Sequence, residues 1–280
     1  GYILLLFGGF CLSWGGLIIR QFEEAGVWEI LFLRSFFFSI ALIIFLNLTY
    51  KKKVIKIIKD AGYPALAGGF FLSLSFIAYT FGIISTSVAN VVFIISTQTI
   101  FLAIFGYFFL KEKISLIGFF SIVLAIAGIG IMVGDSISRG SLVGNLVSLA
   151  IPINFSILVM IIRKHPKLDM VPAIFYSGIL GCIYGFIFSK SLHFSLHDIF
   201  MGFLLGVPQL AFGFICITIG SKTTKAVTVG ILMLSETLCA PLWVWLFMQE
   251  IPPLGVFIGG PVIIIAVIIK SFDRNIGSKT

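Results

Sequence analysis

The sequence predicts an all-α integral membrane protein with ten transmembrane helices arranged as two inverted five-helix repeats. Three observations lead there: the composition, the length of the apolar runs, and a register of matches at a shift of 138 residues. Of the 280 residues, 59% are hydrophobic and only 11% are charged, with a mean hydropathy of +1.17. Soluble domains carry about 25% charged residues. So few charges cannot clothe a solvated surface, and most of the exterior must meet lipid. Runs of roughly 20 residues, apolar all round, are what a bilayer demands, because a helix satisfies its own backbone polar groups where water is absent.

Ten such runs succeed one another: Tyr2–Ile19, Glu29–Tyr50, Tyr63–Ile84, Thr86–Leu110, Ile114–Val133, Leu142–Ile162, Met170–Phe188, Ile199–Ile219, Ala226–Phe247 and Pro252–Ile269. They do not alternate polar with apolar residues, which argues against a β-barrel. No connection is long enough to form a soluble domain. The first run is too long for a signal-peptide core and is expected to be retained. The chain begins at Gly1 rather than Met, which leaves a short basic leader ahead of it open.

Basic residues set the orientation. One set of connections holds Lys51, Lys52, Lys53, Lys56, Lys59, Lys111, Lys113, Arg163, Lys164, Lys167, Lys222, Lys225, Lys270, Arg274 and Lys279. The other holds Arg20, Arg139 and Lys190, so fifteen stand against three. Both termini are therefore expected in the cytoplasm. The net charge of +8 does not point to nucleic acid, since these charges sit between apolar runs. The segment KKKVIKIIKD (51–60) reads either as a helix lying on the inner membrane surface or as a solvated basic loop. Cys11, Cys182, Cys216 and Cys239 lie inside apolar runs, without a CxxC pair, and read as packing residues.

At a shift of 138 residues Gly68 meets Gly206, Gly82 meets Gly220, Thr86 meets Thr224, Thr99 meets Thr237 and Glu112 meets Glu250. The repeats are 1–138 and 139–280. Five spans is an odd number, so the second copy enters the membrane from the opposite face. This accounts for the Lys residues of FFLKEK (108–113), whose counterparts in FMQE are Gln249 and, one residue on, Ile251. It also accounts for ISTSV (84–88) against KTTKA (222–226). Inverted repeats give secondary transporters their two near-equivalent states.

These residues resemble the drug/metabolite transporter superfamily, and specifically its EamA-type ten-helix members, over essentially the whole chain. The likeness rests on LSWGG (12–16), FLRS (32–35), TSVAN (86–90), the span-closing Glu112 and Glu250, and SET (235–237). Thr237 stands where the family often has Pro, and Gln98 replaces the corresponding Glu in the first half. The resemblance implies a carrier of small metabolites in a bacterial inner membrane, working by alternating access. Amino acids or related zwitterions are one substrate class; nucleoside-like or carnitine-like solutes are another.

A charge in the bilayer core costs at least about 2.5–3.5 kcal/mol, so it is normally partnered and functional. Arg34 and Glu236 are the two such charges. Arg34 reads as an anchor for a carboxylate or phosphate; the alternatives are snorkelling to the headgroups or pairing with Glu29. Glu236 reads as a proton-coupling group or an amine site, against a structural hydrogen bond. Trp14, Tyr79, Asn90, Gln98, Asn154 and Gln209 are the polar and aromatic candidates for the pathway. Each taken alone reads as helix–helix glue; together some should line it. Pro152 and Pro208 are expected to break their helices beside Asn154 and Gln209. Trp243 and Trp245 read as interfacial belt residues. Gly130/Gly134, Gly181/Gly185, Gly202/Gly206 and Gly255/Gly259 read as packing surfaces.

Catalysis finds little footing. His193 and His197 have helical metal spacing, with Asp198 as the only further ligand, and no cofactor is expected. No phosphate loop comes after a strand. A membrane-embedded, lipid-handling enzyme would need acids or bases clustered at one depth, and the spans offer one Arg and one clear acid. The partners expected are a small-molecule substrate, the bilayer, and a second copy of the chain meeting it through the peripheral fifth and tenth spans.

Overall fold

The computed structural model describes residues 1–86, 88–112, 114–133, 142–248 and 254–272. Every regular element among them is helical. In order they are α1 (Tyr2–Leu12), α2 (Gly15–Ile19), α3 (Val27–Tyr50), α4 (Val54–Ser85), α5 (Val88–Ser96), α6 (Gln98–Leu110), α7 (Leu116–Val133), α8 (Leu142–Ser148), α9 (Ala150–Lys164), α10 (Val171–Phe188), α11 (Leu196–Leu204), a π-helix (Leu205–Ala211), α12 (Phe212–Ser221), α13 (Ala226–Met248) and α14 (Leu254–Phe272). Eight stretches are long and apolar enough to cross a membrane. They coincide with eight of the expected runs to within a few residues, except that the third begins earlier, at Val54. The fifth and tenth runs are the helices α7 and α14.

The early start of the third stretch has a physical cause. Residues 54–61 are helical, but Gly62 has φ +49° and ψ −145°, which breaks the helix before Tyr63 and Pro64. Glycine alone adopts that backbone without strain, and Pro64 suits the first turn of the long helix beyond the break. The basic segment is thus a separate helical piece set off from that long helix.

Four other stretches are interrupted midway, each for a local reason. Between α1 and α2 the Ser13 hydroxyl bonds back to the Phe10 carbonyl at 2.6 Å. Between α5 and α6 Ser96 and Thr97 do the same to Phe93 and Ile94, each at 2.6 Å. Such back-bonding competes with the helical ladder. Between α8 and α9 the cause is Pro152, which lacks the N–H that would meet the Ser148 carbonyl; the break falls at Leu149, whose N–H bonds to Leu146 instead. Pro208 likewise cannot reach Leu204, and the chain widens into the π-helix Leu205–Ala211 around it.

Glycines hold α3 from two sides. A Cβ on Gly181 would collide with the Ser35 hydroxyl, and one on Gly185 would meet the Phe32 backbone at 2.7 Å. A Cβ on Gly202 would meet Leu33 at 2.8 Å, and one on Gly206 the Arg34 carbonyl at 2.6 Å. Both expected glycine pairs are therefore packing surfaces, and both fix the turn that carries Arg34. Gly130 has nothing within 4 Å; the α7–α14 contact uses Gly128, whose Cβ would lie 2.9 Å from the Gly259 carbonyl. Gly134 lies outside the described residues. The helices α7 and α14 pack chiefly on each other and join the rest mainly through α13.

The two ends of the bundle are tied differently. At the end carrying the Lys-rich connections, Glu112 accepts from Arg163 and, at 2.9 Å, from the Ala226 N–H. Gln249, Glu250 and Ile251, its counterparts at the other end, lie outside the described residues. At that other end the fully buried Asp198 accepts the backbone N–H groups of Glu23, Glu24 and Ala25 at 3.0, 3.3 and 3.1 Å. It clamps the α2–α3 connection to the start of α11. Asp198→Ala strands three amides and is expected to lower stability by about 2–4 kcal/mol, read as a fall in unfolding temperature in detergent. Asp198→Asn keeps one acceptor and should recover part of it.

Candidate functional site

Among the expected site residues, Arg34, Tyr79, Gln98, Gln209 and Glu236 line one central cavity of about 50 Å³. Its apolar wall includes Leu72, Phe76, Leu210 and Phe214. Arg34 reaches it from α3 and is 1% exposed. Its Nη1 donates to the Thr80 hydroxyl at 2.9 Å. The guanidinium lies over the rings of Phe76 and Tyr79, 4.8 and 5.4 Å from their centroids. Both alternatives for Arg34 are thereby settled. Burial excludes snorkelling, and Glu29 instead accepts the Lys190 N–H at 2.8 Å. Among the described residues no carboxylate forms an ion pair with Arg34, and its Nε–H has no acceptor.

The cavity is built from matched positions. Leu72 and Leu210, Phe76 and Phe214, Ile95 and Met233, and Gln98 and Glu236 all face it, and each pair is separated by 138 residues. Phe76 and Phe214 meet edge to face, with centroids 5.6 Å apart. Gln209 joins the two halves by donating from Nε2 to the Leu12 carbonyl at 3.0 Å. Gly15 permits this approach, since a Cβ there would collide with the Tyr79 hydroxyl and lie 2.8 Å from Gln209 Nε2.

Residues 1–134 match the EamA-like transporter family. An uncharacterized transporter of Clostridium kluyveri is 27% identical over 290 aligned positions, covering 96% of this chain and 92% of the relative. The chain is an EamA-type member of the drug/metabolite transporter superfamily. A crystal structure of another protein, 14% identical, superposes with a TM-score of 0.79 over 95% of this chain and 94% of its own, a likeness of fold alone. The EamA-type protein is thus a multi-pass membrane transport protein, and its central cavity lies where helices from both halves meet.

Three of the expected residues of this EamA-type transporter lie elsewhere. Trp14 stacks on Trp243 with centroids 4.0 Å apart, in a groove beside the cavity. Asn90 donates to the Thr86 hydroxyl at 3.3 Å, near the end of the bundle away from the Lys-rich connections. Asn154 is buried in α9, but that helix meets the cavity through Ile151 and Phe155. Trp243 differs from its reading as a belt residue: its indole N–H donates to Ser13 at 2.7 Å, so it joins α13 to the α1–α2 break. His197 Nε2 lies 2.8 Å from the Gln21 carbonyl, and Asp198 serves backbone amides. Among the described residues no three His, Cys, Asp or Glu side chains group as a metal site. Thr80 and Phe76, which position Arg34, escaped the sequence reading. Phe76 had a signal, its identity with Phe214 at the repeat spacing.

Proposed function

We propose that this transporter is a secondary carrier of small organic zwitterions, with amino acids as the type case, working by alternating access between two inverted halves. The reading is carried by one observation. Arg34, buried and without a carboxylate partner among the described residues, faces the same cavity as Glu236. A buried guanidinium that the protein leaves unpaired is a receptor for an anion brought from outside, and its planar fork suits a carboxylate. Glu236, on the opposite wall element α13, then either receives the ammonium or carries the coupling proton. The matched pairs around the cavity support a pseudo-twofold through it, with ten spans in repeats 1–138 and 139–280. The fifteen-to-three distribution of basic residues supports an inner-membrane topology with both termini cytoplasmic.

Thermal shift of the purified protein against amino acids, nucleoside derivatives and quaternary amines identifies the class, since a bound ligand raises apparent stability by mass action. The decisive variant is Glu236→Gln, which gives both repeats the same amide, because Gln98 already occupies the matching position. It is expected to abolish movement driven by a pH gradient in sealed vesicles while protein level stays normal. Uptake with the parent's pH dependence would reject the coupling role.

A further inference from the structure

The central cavity is too small for the solute it is meant to hold. Its volume of about 50 Å³ admits roughly three to five waters, whereas pockets that engulf a small molecule measure about 300–1,000 Å³. A zwitterionic head fits there; an organic side chain does not. A second space adjoins it, a groove of about 600 Å³ between α1–α2 and α11 with the π-helix.

The groove arises from how the two helices cross. Near the Lys-rich end α1 and α12 touch through glycines: a Cβ on Gly8 would lie 3.0 Å from the Gly213 carbonyl, and one on Gly220 would lie 3.0 Å from the Gly1 carbonyl. Beyond that contact the facing residues are large, with Phe10, Trp14 and Leu17 on one wall and Met201, Leu204 and Phe212 on the other. Gln209 lines both spaces and forms the sill between them. Its Nε2 holds the Leu12 carbonyl, while its Oε1, on a side chain 4% exposed, has no donor. The sill stands between a helix break and a π-helix, the two places where the wall's backbone ladder is already interrupted.

We infer that the groove is a side chamber of the binding site and takes a flexible alkyl chain of a zwitterionic amphiphile, whose charged head sits between Arg34 and Glu236 and whose ammonium N–H meets Gln209 Oε1. This rests on the zwitterion reading of the central cavity. A chain is favoured over a ring because it can thread past the sill, and the walls beyond it are apolar.

The test uses the full chain in lipid nanodiscs with 2-amino carboxylates of increasing length: alanine, norvaline, norleucine and 2-aminooctanoate. Buried methylenes each tighten binding about three- to fourfold. Allowing for incomplete burial, 2-aminooctanoate is expected to bind at least about tenfold tighter than alanine. Leu204→Trp fills the groove and should flatten that series, which partitioning of chains into lipid would not do. Independently, Cys11 lines the groove, so its alkylation by N-ethylmaleimide, tracked on its own peptide, should slow with 2-aminooctanoate and not with alanine. Equal affinity along the series, with Cys11 unprotected, overturns the side chamber and leaves the zwitterion anchor standing. Absence of binding by every member, short or long, overturns both. Should Leu204→Trp misfold, protection of Cys11 in the parent protein decides alone.

Discussion

Arg34→Leu is expected to abolish solute movement while leaving the protein at least as stable as its parent. The two halves of this expectation have different causes. A buried charge is expensive in a bilayer, and Arg34 is offset only by one hydroxyl and two ring faces, since no carboxylate pairs with it among the described residues. Replacing an incompletely compensated buried ion by an apolar residue of similar reach is often neutral or stabilising. The loss of function comes from the solute's side. Truncating one partner of a desolvated ion pair costs about 2–5 kcal/mol, roughly 30-fold to several thousandfold in affinity. Arg34→Lys keeps the charge but not the fork, and should rescue only in part. Flux in proteoliposomes and unfolding temperature are measured on the same preparations. A structural arginine would show the reverse pattern, with stability lost and residual flux in proportion to the folded protein.

Much of this site was legible because the membrane makes charges conspicuous. Arg34 and Glu236 stand out in apolar runs, and the repeat spacing ties Gln98 to Glu236 before any geometry is known. Span positions have the same cause, since a bilayer tolerates few alternatives to a long apolar helix. What the sequence hid was the side on which each polar residue faces. These helices are apolar all round, so periodicity gives no direction, and Trp14, Asn90 and Asn154 could not be separated from Tyr79 and Gln209. Helix interruptions were legible only where proline causes them, at Pro152 and Pro208. Those at Ser13 and Thr97 arise from hydroxyls that look like ordinary packing residues in a sequence. Trp243 misled because an indole near a span end reads as a membrane anchor, whereas here its N–H found Ser13.

Glu112→Ala should be the most damaging single change at the Lys-rich end, lowering stability by about 2–4 kcal/mol. The carboxylate joins three segments, through Arg163 on α9 and the Ala226 N–H that opens α13, with itself at the close of α6. Arg163 also donates to the Thr224 carbonyl. The other end carries a partial copy, in which Arg20 donates to the Thr86 carbonyl at 3.3 Å, and Thr86 and Thr224 are repeat partners. The same arginine-to-carbonyl contact therefore closes both ends, but in the described residues only Arg163 also carries a carboxylate. Arg20→Ala is accordingly expected to cost no more than about 1 kcal/mol. The double variant Glu112→Ala with Arg163→Ala should lose less than the two single losses added together, because the groups share one interaction. Equal losses for Arg20→Ala and Glu112→Ala would mean that the carboxylate adds nothing. The expected inequality makes the Lys-rich end the more firmly latched of the two, and under alternating access it is the end whose release limits the rate. Glu112→Gln keeps an acceptor for the Ala226 amide but gives up the charge, so it should open that end faster, read as quicker alkylation of a cysteine placed at Ser75 on the cavity wall.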